Sequence, residues 1–65
     1  MQRYMDTKEL LDTVCIRAYC DNDKEDLKTA IEILVDEAYA REITPSFIDL
    51  HLTADNEFAV TLYGY

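Results

Sequence analysis

The chain of 65 residues has one glycine, one proline, one histidine and, after Arg41, no lysine or arginine. Each absence closes off a class of function. With Gly64 as the sole glycine, no phosphate-cradling loop of the nucleotide-binding kind can be written. His51 has only Asp49 and Ser46 nearby, and three residues of one short extended segment cannot converge on a reacting atom, so no catalytic triad is predicted and the chain reads as non-enzymatic. Cys15, Cys20 and His51 lack the ligand-pair spacing of a zinc site. No cofactor or metal is expected. No apolar run approaches the ~18 residues of a membrane span and no secretory h-region is seen, so the expectation is a protein of the cytoplasm with reduced thiols.

What the chain has in excess is negative charge, and that charge is segregated. Residues 1–20 balance Asp6, Glu9 and Asp12 against Arg3, Lys8 and Arg17. The net charge of −8 therefore arises wholly from residue 21 onward. Such a surface repels phosphates and anionic lipid heads and attracts basic grooves on other proteins. Hydrophobic residues at 49% nevertheless argue for a packed globule rather than an acidic tail. The length allows one domain over residues 1–65, too small for a deep cleft.

Two helices joined by a turn, followed by two strands, organise the chain. Asp6 and Glu9 have capping-box spacing, with Met5 and Leu10 as a hydrophobic staple, so a first helix is expected from about Thr7 to Cys20. Leu10, Leu11, Val14, Cys15, Ala18 and Tyr19 form its apolar stripe, with Ile16 on the wrong side. On that helix the two cysteines stand too far apart for a relaxed disulfide. Asp21-Asn22-Asp23 breaks the pattern, and Asn22 with Glu25, or Asp23 with Asp26, caps a second helix from roughly Lys24 to Arg41. Its broad apolar face is Leu27, Ala30, Ile31, Leu34, Val35, Ala38 and Tyr39, and Thr44-Pro45 ends it.

The last third alternates with period two. Ile48, Leu50 and Leu52 share one face of a strand, and Phe58, Val60 and Leu62 one face of the next. A two-residue loop would scramble these faces, whereas the three-residue loop Ala54-Asp55-Asn56 pairs Leu52 with Phe58, Leu50 with Val60 and Ile48 with Leu62, with Asn56 left-handed. The predicted fold is α+β, in the order α-α-β-β, with a helical hairpin on the inner face of a C-terminal β-hairpin.

Two surfaces are candidates for function. Glu25, Thr29, Glu32 and Asp36 line up along the second helix opposite its apolar face, neighbours standing ~5–6 Å apart like a row of phosphates. Asp21, Asp23 and Glu37 extend this lane, and Ile33 between Asp26 and Glu37 is expected to stand exposed as an apolar anchor. The second surface is the outer hairpin face, Phe47, His51, Tyr63 and Tyr65, which a partner, the segment 1–4 or a second copy would cover. Asp21, Asp23, Glu25 and Glu32 also match four places of a calcium-loop register, but Asp26 stands where that loop requires glycine and the helix forbids it from wrapping an ion. A helix-turn-helix reading fails because the second helix would carry its carboxylates toward phosphate.

In size and charge alone the chain resembles the small acidic inhibitors that phages and mobile elements direct at nucleic-acid-handling machinery, anti-CRISPR and anti-restriction proteins among them. That resemblance implies a protein partner with a basic nucleic-acid-binding surface and no direct contact with nucleic acid or membrane. The alternative is a regulatory or structural module that forms homodimers through the outer hairpin face.

Overall fold

The computed structural model describes the backbone of residues 5–10 and 13–65 and the side chains of residues 13–65. Five elements follow one another: β1 (Met5–Leu10), β2 (Thr13–Asp21), α1 (Lys24–Ala40), β3 (Pro45–Leu52) and β4 (Glu57–Gly64). The domain is α+β as expected, but its first third is not a helix. Met5 to Leu10, read as a capping box and staple, is extended and pairs antiparallel with β2, with Leu10 opposite Thr13 and Met5 opposite Ala18. The expectation about residues 1–4 lies outside the described residues.

The physical reason lies in the residues the helical reading could not place. Val14, Ile16, Ala18 and Cys20 alternate with Cys15, Arg17 and Tyr19, and Thr13, Val14 and Ile16 are β-branched, which favours a strand. Ile16, on the wrong side of the supposed helix, is fully buried, as are Ala18 and Cys20. The odd separation of Cys15 and Cys20 then puts them on opposite faces of β2. Both are free thiols, Cys20 buried and Cys15 half-buried.

The four strands form one antiparallel sheet in the order β1-β2-β4-β3. Because β4 is antiparallel to both β2 and β3, the unit β2-α1-β3 is a split crossover with β4 inserted between two parallel strands. Three apolar rows cross the helix-side face: Ile16–Leu62–Ile48, Ala18–Val60–Leu50 and Cys20–Phe58–Leu52. The β3–β4 register is the expected one, pair for pair. Its loop closes through Asn56 N–H on Thr53 O (3.1 Å) and Thr53 N–H on Glu57 O (2.7 Å), and Asn56 takes φ 60° as the three-residue loop requires.

Helix α1 begins where an acidic N-cap should put it. Asp23 is extended and its carboxylate accepts the Asp26 N–H at 3.2 Å, while Glu25 and Asp26 occupy the first turn at the positive end of the helix dipole. The helix stops before Thr44-Pro45, by a local device. Ile43 N–H reaches Ala38 O (2.8 Å) and Glu42 N–H reaches Tyr39 O (3.1 Å), the paired bonds of a Schellman motif. Glu42 holds the left-handed position at φ 58°, where glycine is preferred, and Ile43 folds back into the core beside Ala38.

Ala30, Leu34 and Ala38 are buried against β2 and β4. Half-buried Leu27, Ile31 and Val35 flank them, whereas Tyr39, assigned to the same face, is 69% exposed. Gly64 permits the close approach of the chain that leads into β3, since a Cβ there would stand 2.3 Å from Thr44 O. No helical hairpin covers the inner face of the C-terminal β-hairpin: among the described residues one helix covers β4, and β3 lies beyond it. Leu50 and Leu52, expected inside, are 48% and 51% exposed.

Candidate protein-binding surface

The outward face of α1 follows from the placement of its buried stripe. At 100° per residue, Glu25, Thr29, Glu32 and Asp36 fall opposite Ala30, Leu34 and Ala38, and all four are exposed. The structure thus brings the expected lane together on solvent. From Glu25 to Glu32 the rise is about 10 Å. The Thr29 hydroxyl turns back to donate to Glu25 O at 3.0 Å, so the lane's acceptors are carboxylates.

Two residues assigned to the lane stand elsewhere. Ile33 is half-buried rather than exposed, since it lies about 100° round the helix from Leu34, on the flank of the buried stripe rather than opposite it. Glu37 sits on the same flank, half-buried, and accepts from Arg41 Nε at 2.5 Å, an i,i+4 ion pair that occupies its carboxylate.

Asp21 at the end of β2 and Asp23 in the turn that feeds α1 are exposed, with Asp23 N–H bonded to Asp21 O at 2.8 Å. The tertiary structure adds to them. Asn22 Nδ2 donates to Asn56 Oδ1 at 3.0 Å, tying this turn to the β3–β4 loop, and Asp21 stands opposite Glu57 in the β2–β4 register. Exposed Asp55 shares that loop with Asn56. Like charges across a strand pair oppose folding, so carboxylates from two distant segments are held at one end of the sheet despite their repulsion. Their field reaches the core: burial first, then the carboxylates of Asp26, Asp21 and Glu57, push the Cys20 thiol above its ordinary range. Sequence reasoning missed Asp55 and Glu57 because they lie more than 30 residues from Asp21 and only the strand register joins them. Among the described residues no group of three or more His, Cys, Asp or Glu is placed to hold a metal ion.

The sheet's other face carries the second set of expected residues. Phe47 and Tyr63 are register partners whose rings stack at 4.5 Å between centroids and 17° between planes. Phe47, His51 and Tyr65 are exposed and Tyr63 half-buried. The C-terminal hairpin is not a sheet of its own, since β4 also pairs with β2 and the face continues across it. Arg17 reaches over that face to donate from Nε to Thr61 Oγ1 at 3.0 Å, and Thr61 and Ala59 are buried there. No described helix is long and apolar enough to cross a membrane. Compared with protein-family models, curated proteins and solved structures, the chain matches none.

Proposed function

We propose that this protein is a non-enzymatic binder whose acidic helix face docks on a basic, nucleic-acid-binding surface of a partner protein and blocks it. One observation carries the reading: Glu25, Glu32 and Asp36 are exposed in a row on a helix whose opposite side is sunk in the core, which fixes the row rigidly toward solvent. Asp21, Asp23 and Asp55 prolong it around the end of the sheet. A rigid array of carboxylates engages Lys and Arg side chains without first ordering a loop, as a phosphate backbone does. Size and charge suit an inhibitor of the phage or mobile-element kind, acting by steric and electrostatic blockade. Ile33 has no part as an exposed anchor in this reading, and Glu37 is engaged by Arg41.

The test is the triple variant Glu25→Lys, Glu32→Lys, Asp36→Lys. All three positions are exposed and the residues exchanged are compatible with a helix, so circular dichroism and melting should match the wild type closely. Immobilised wild-type protein should retain DNA- or RNA-binding proteins from a host lysate and release them as salt rises; the triple variant should retain none of them. Charge-assisted contacts contribute roughly 1.5–3 kcal/mol each, so losing three weakens binding by several orders of magnitude. Retention of the same proteins by the folded triple variant, with loss on Phe47→Ala, would move the interface to the outer sheet face.

A further inference from the structure

Strand β3 is the last in the order β1-β2-β4-β3, so one side of it pairs with β4 and, among the described residues, no strand pairs with the other. The phase of its backbone is fixed by the hairpin loop. Thr53 N–H donates to Glu57 O in a directly opposed pair, so the backbone groups of Thr53, His51 and Asp49 face β4. Those of Leu52, Leu50 and Ile48 face away from β4.

Natural edges are blunted by proline, bulges or lysine. Here Pro45 and the register shift between Pro45 and Phe47 blunt the start of β3, whereas the stretch from Ile48 to Leu52 has no proline, bulge or lysine, and Asp49 is its one acidic side chain. Its sequence is Ile-Asp-Leu-His-Leu, apolar at the two ends and the centre, acidic on one side of the centre and basic on the other. That pattern is self-complementary about Leu50. When two identical strands pair antiparallel around a two-fold axis at Leu50, Leu50 meets the partner's Leu50, Ile48 meets the partner's Leu52, and Asp49 meets the partner's His51.

We propose that two copies of this chain associate through their β3 edges in this register, joining the two sheets into one. The backbone phase agrees with it. Leu50 and the Ile48–Leu52 pairs become the hydrogen-bonded pairs, using the very groups that face outward. The Asp49–His51 pairs become the non-bonded pairs, in which side chains stand closest. On the helix side, Leu50 and Leu52 each gain an apolar cross-strand neighbour in a continuous ladder; on the other side each carboxylate meets an imidazole. Competing registers lose one term or another. An axis at Asp49 sets carboxylate on carboxylate, an axis at His51 sets imidazole on imidazole, and a one-residue slip opposes leucines to charges.

This inference is independent of the acidic lane, and salt separates the two. Copies carrying −8 each repel, so screening strengthens self-association, whereas it weakens contacts between the lane and a basic partner. Analytical ultracentrifugation of the full chain, from micromolar to millimolar concentration at low and moderate salt, should show a reversible monomer–dimer equilibrium that tightens with salt. Asp49→Lys lowers the net negative charge yet should weaken the dimer roughly tenfold by removing the carboxylate that each imidazole meets, and His51→Glu should weaken it similarly by setting carboxylate against carboxylate. Combining Asp49→Lys with His51→Glu sets ammonium against carboxylate across the axis and should restore the dimer. The melting curve of each variant, taken at a dilution where the wild type is monomeric, checks that the fold is kept. A wild type that stays monomeric at millimolar concentration overturns the proposal. So does a double variant that folds but does not recover, or a dimer indifferent to both single changes and lost on Tyr63→Ala, which would place the contact on the outer face.

Discussion

Strands β2 and β3 lie on either side of β4 and carry the same kind of sequence, yet one is core and the other is surface. Ile16, Ala18 and Cys20 of β2 align through β4 with Ile48, Leu50 and Leu52 of β3, row by row. The β2 members are all buried, while Leu50 and Leu52 are about half exposed. The difference is the helix: α1 packs on β2 and β4 and stops short of β3. Period two decides which side chains share a face; a second layer decides whether that face is dry.

The largest expected effect tests that difference in one row. Ala18→Asp buries a carboxylate under α1 with no partner and should unfold the domain, a cost of several kcal/mol. Leu50→Asp, in the same row but beyond the helix, should cost under ~1 kcal/mol, because its carboxylate reaches water. Chemical denaturation at low protein concentration, where self-association plays no part, measures both. Equal collapse would mean that the helix shelters β3 as well.

A smaller effect compares the two faces of β2. Cys20→Ser places a hydroxyl in the core and should cost about 1–3 kcal/mol, whereas Cys15→Ser, half-buried on the other face, should cost under about 1. This ordering is the reverse of what a helix through both cysteines implies. Thiol alkylation gives a second readout: Cys15 should react in the native state and Cys20 only on unfolding, since burial both hides its sulfur and holds its pKa up. Comparable labelling of both would contradict the strand assignment.

The smallest effect concerns what seats the helix. Glu42→Gly should raise stability by about 0.5–1 kcal/mol, because the left-handed backbone at this position strains any residue with a Cβ. The gain would appear as a higher denaturation midpoint with unchanged slope. A loss of stability instead would mean that the Glu42 side chain has a role outweighing its backbone strain.

The C-terminal hairpin and α1 were legible because their signals are local. Loop length, the alternation on both sides and the left-handed preference of Asn56 converge on a single register. Asn22 or Asp23 before an apolar stripe marks a helix start, of which the structure uses Asp23, and the stripe sets Glu25, Glu32 and Asp36 toward water. The first third was misread because Val14, Cys15, Ala18 and Tyr19 satisfy a helical stripe while Val14, Ile16, Ala18 and Cys20 satisfy a strand. In an isolated segment the two periods fit almost equally well. Ile16 was the discriminating residue, a β-branched aliphatic that only the extended chain buries. The helix stop was hidden for a different reason: the Schellman position holds Glu42 rather than a glycine.

Sequence alone therefore determined the charge asymmetry, the start of α1 within one residue and its exposed row Glu25, Thr29, Glu32 and Asp36, and the pairing of β3 with β4, the last two resting on neighbours within a few residues of chain. Only the tertiary structure decided that residues 13–21 are a strand, that Asp55 and Glu57 join Asp21 at one end of the sheet, and that β3 pairs with β4 alone among the described strands. Those outcomes depend on which surfaces meet. Val60 and Leu62 needed a second strand beside them and a helix above them, and β2 with α1 supplied both, leaving β3 outside the layer that buries the rest.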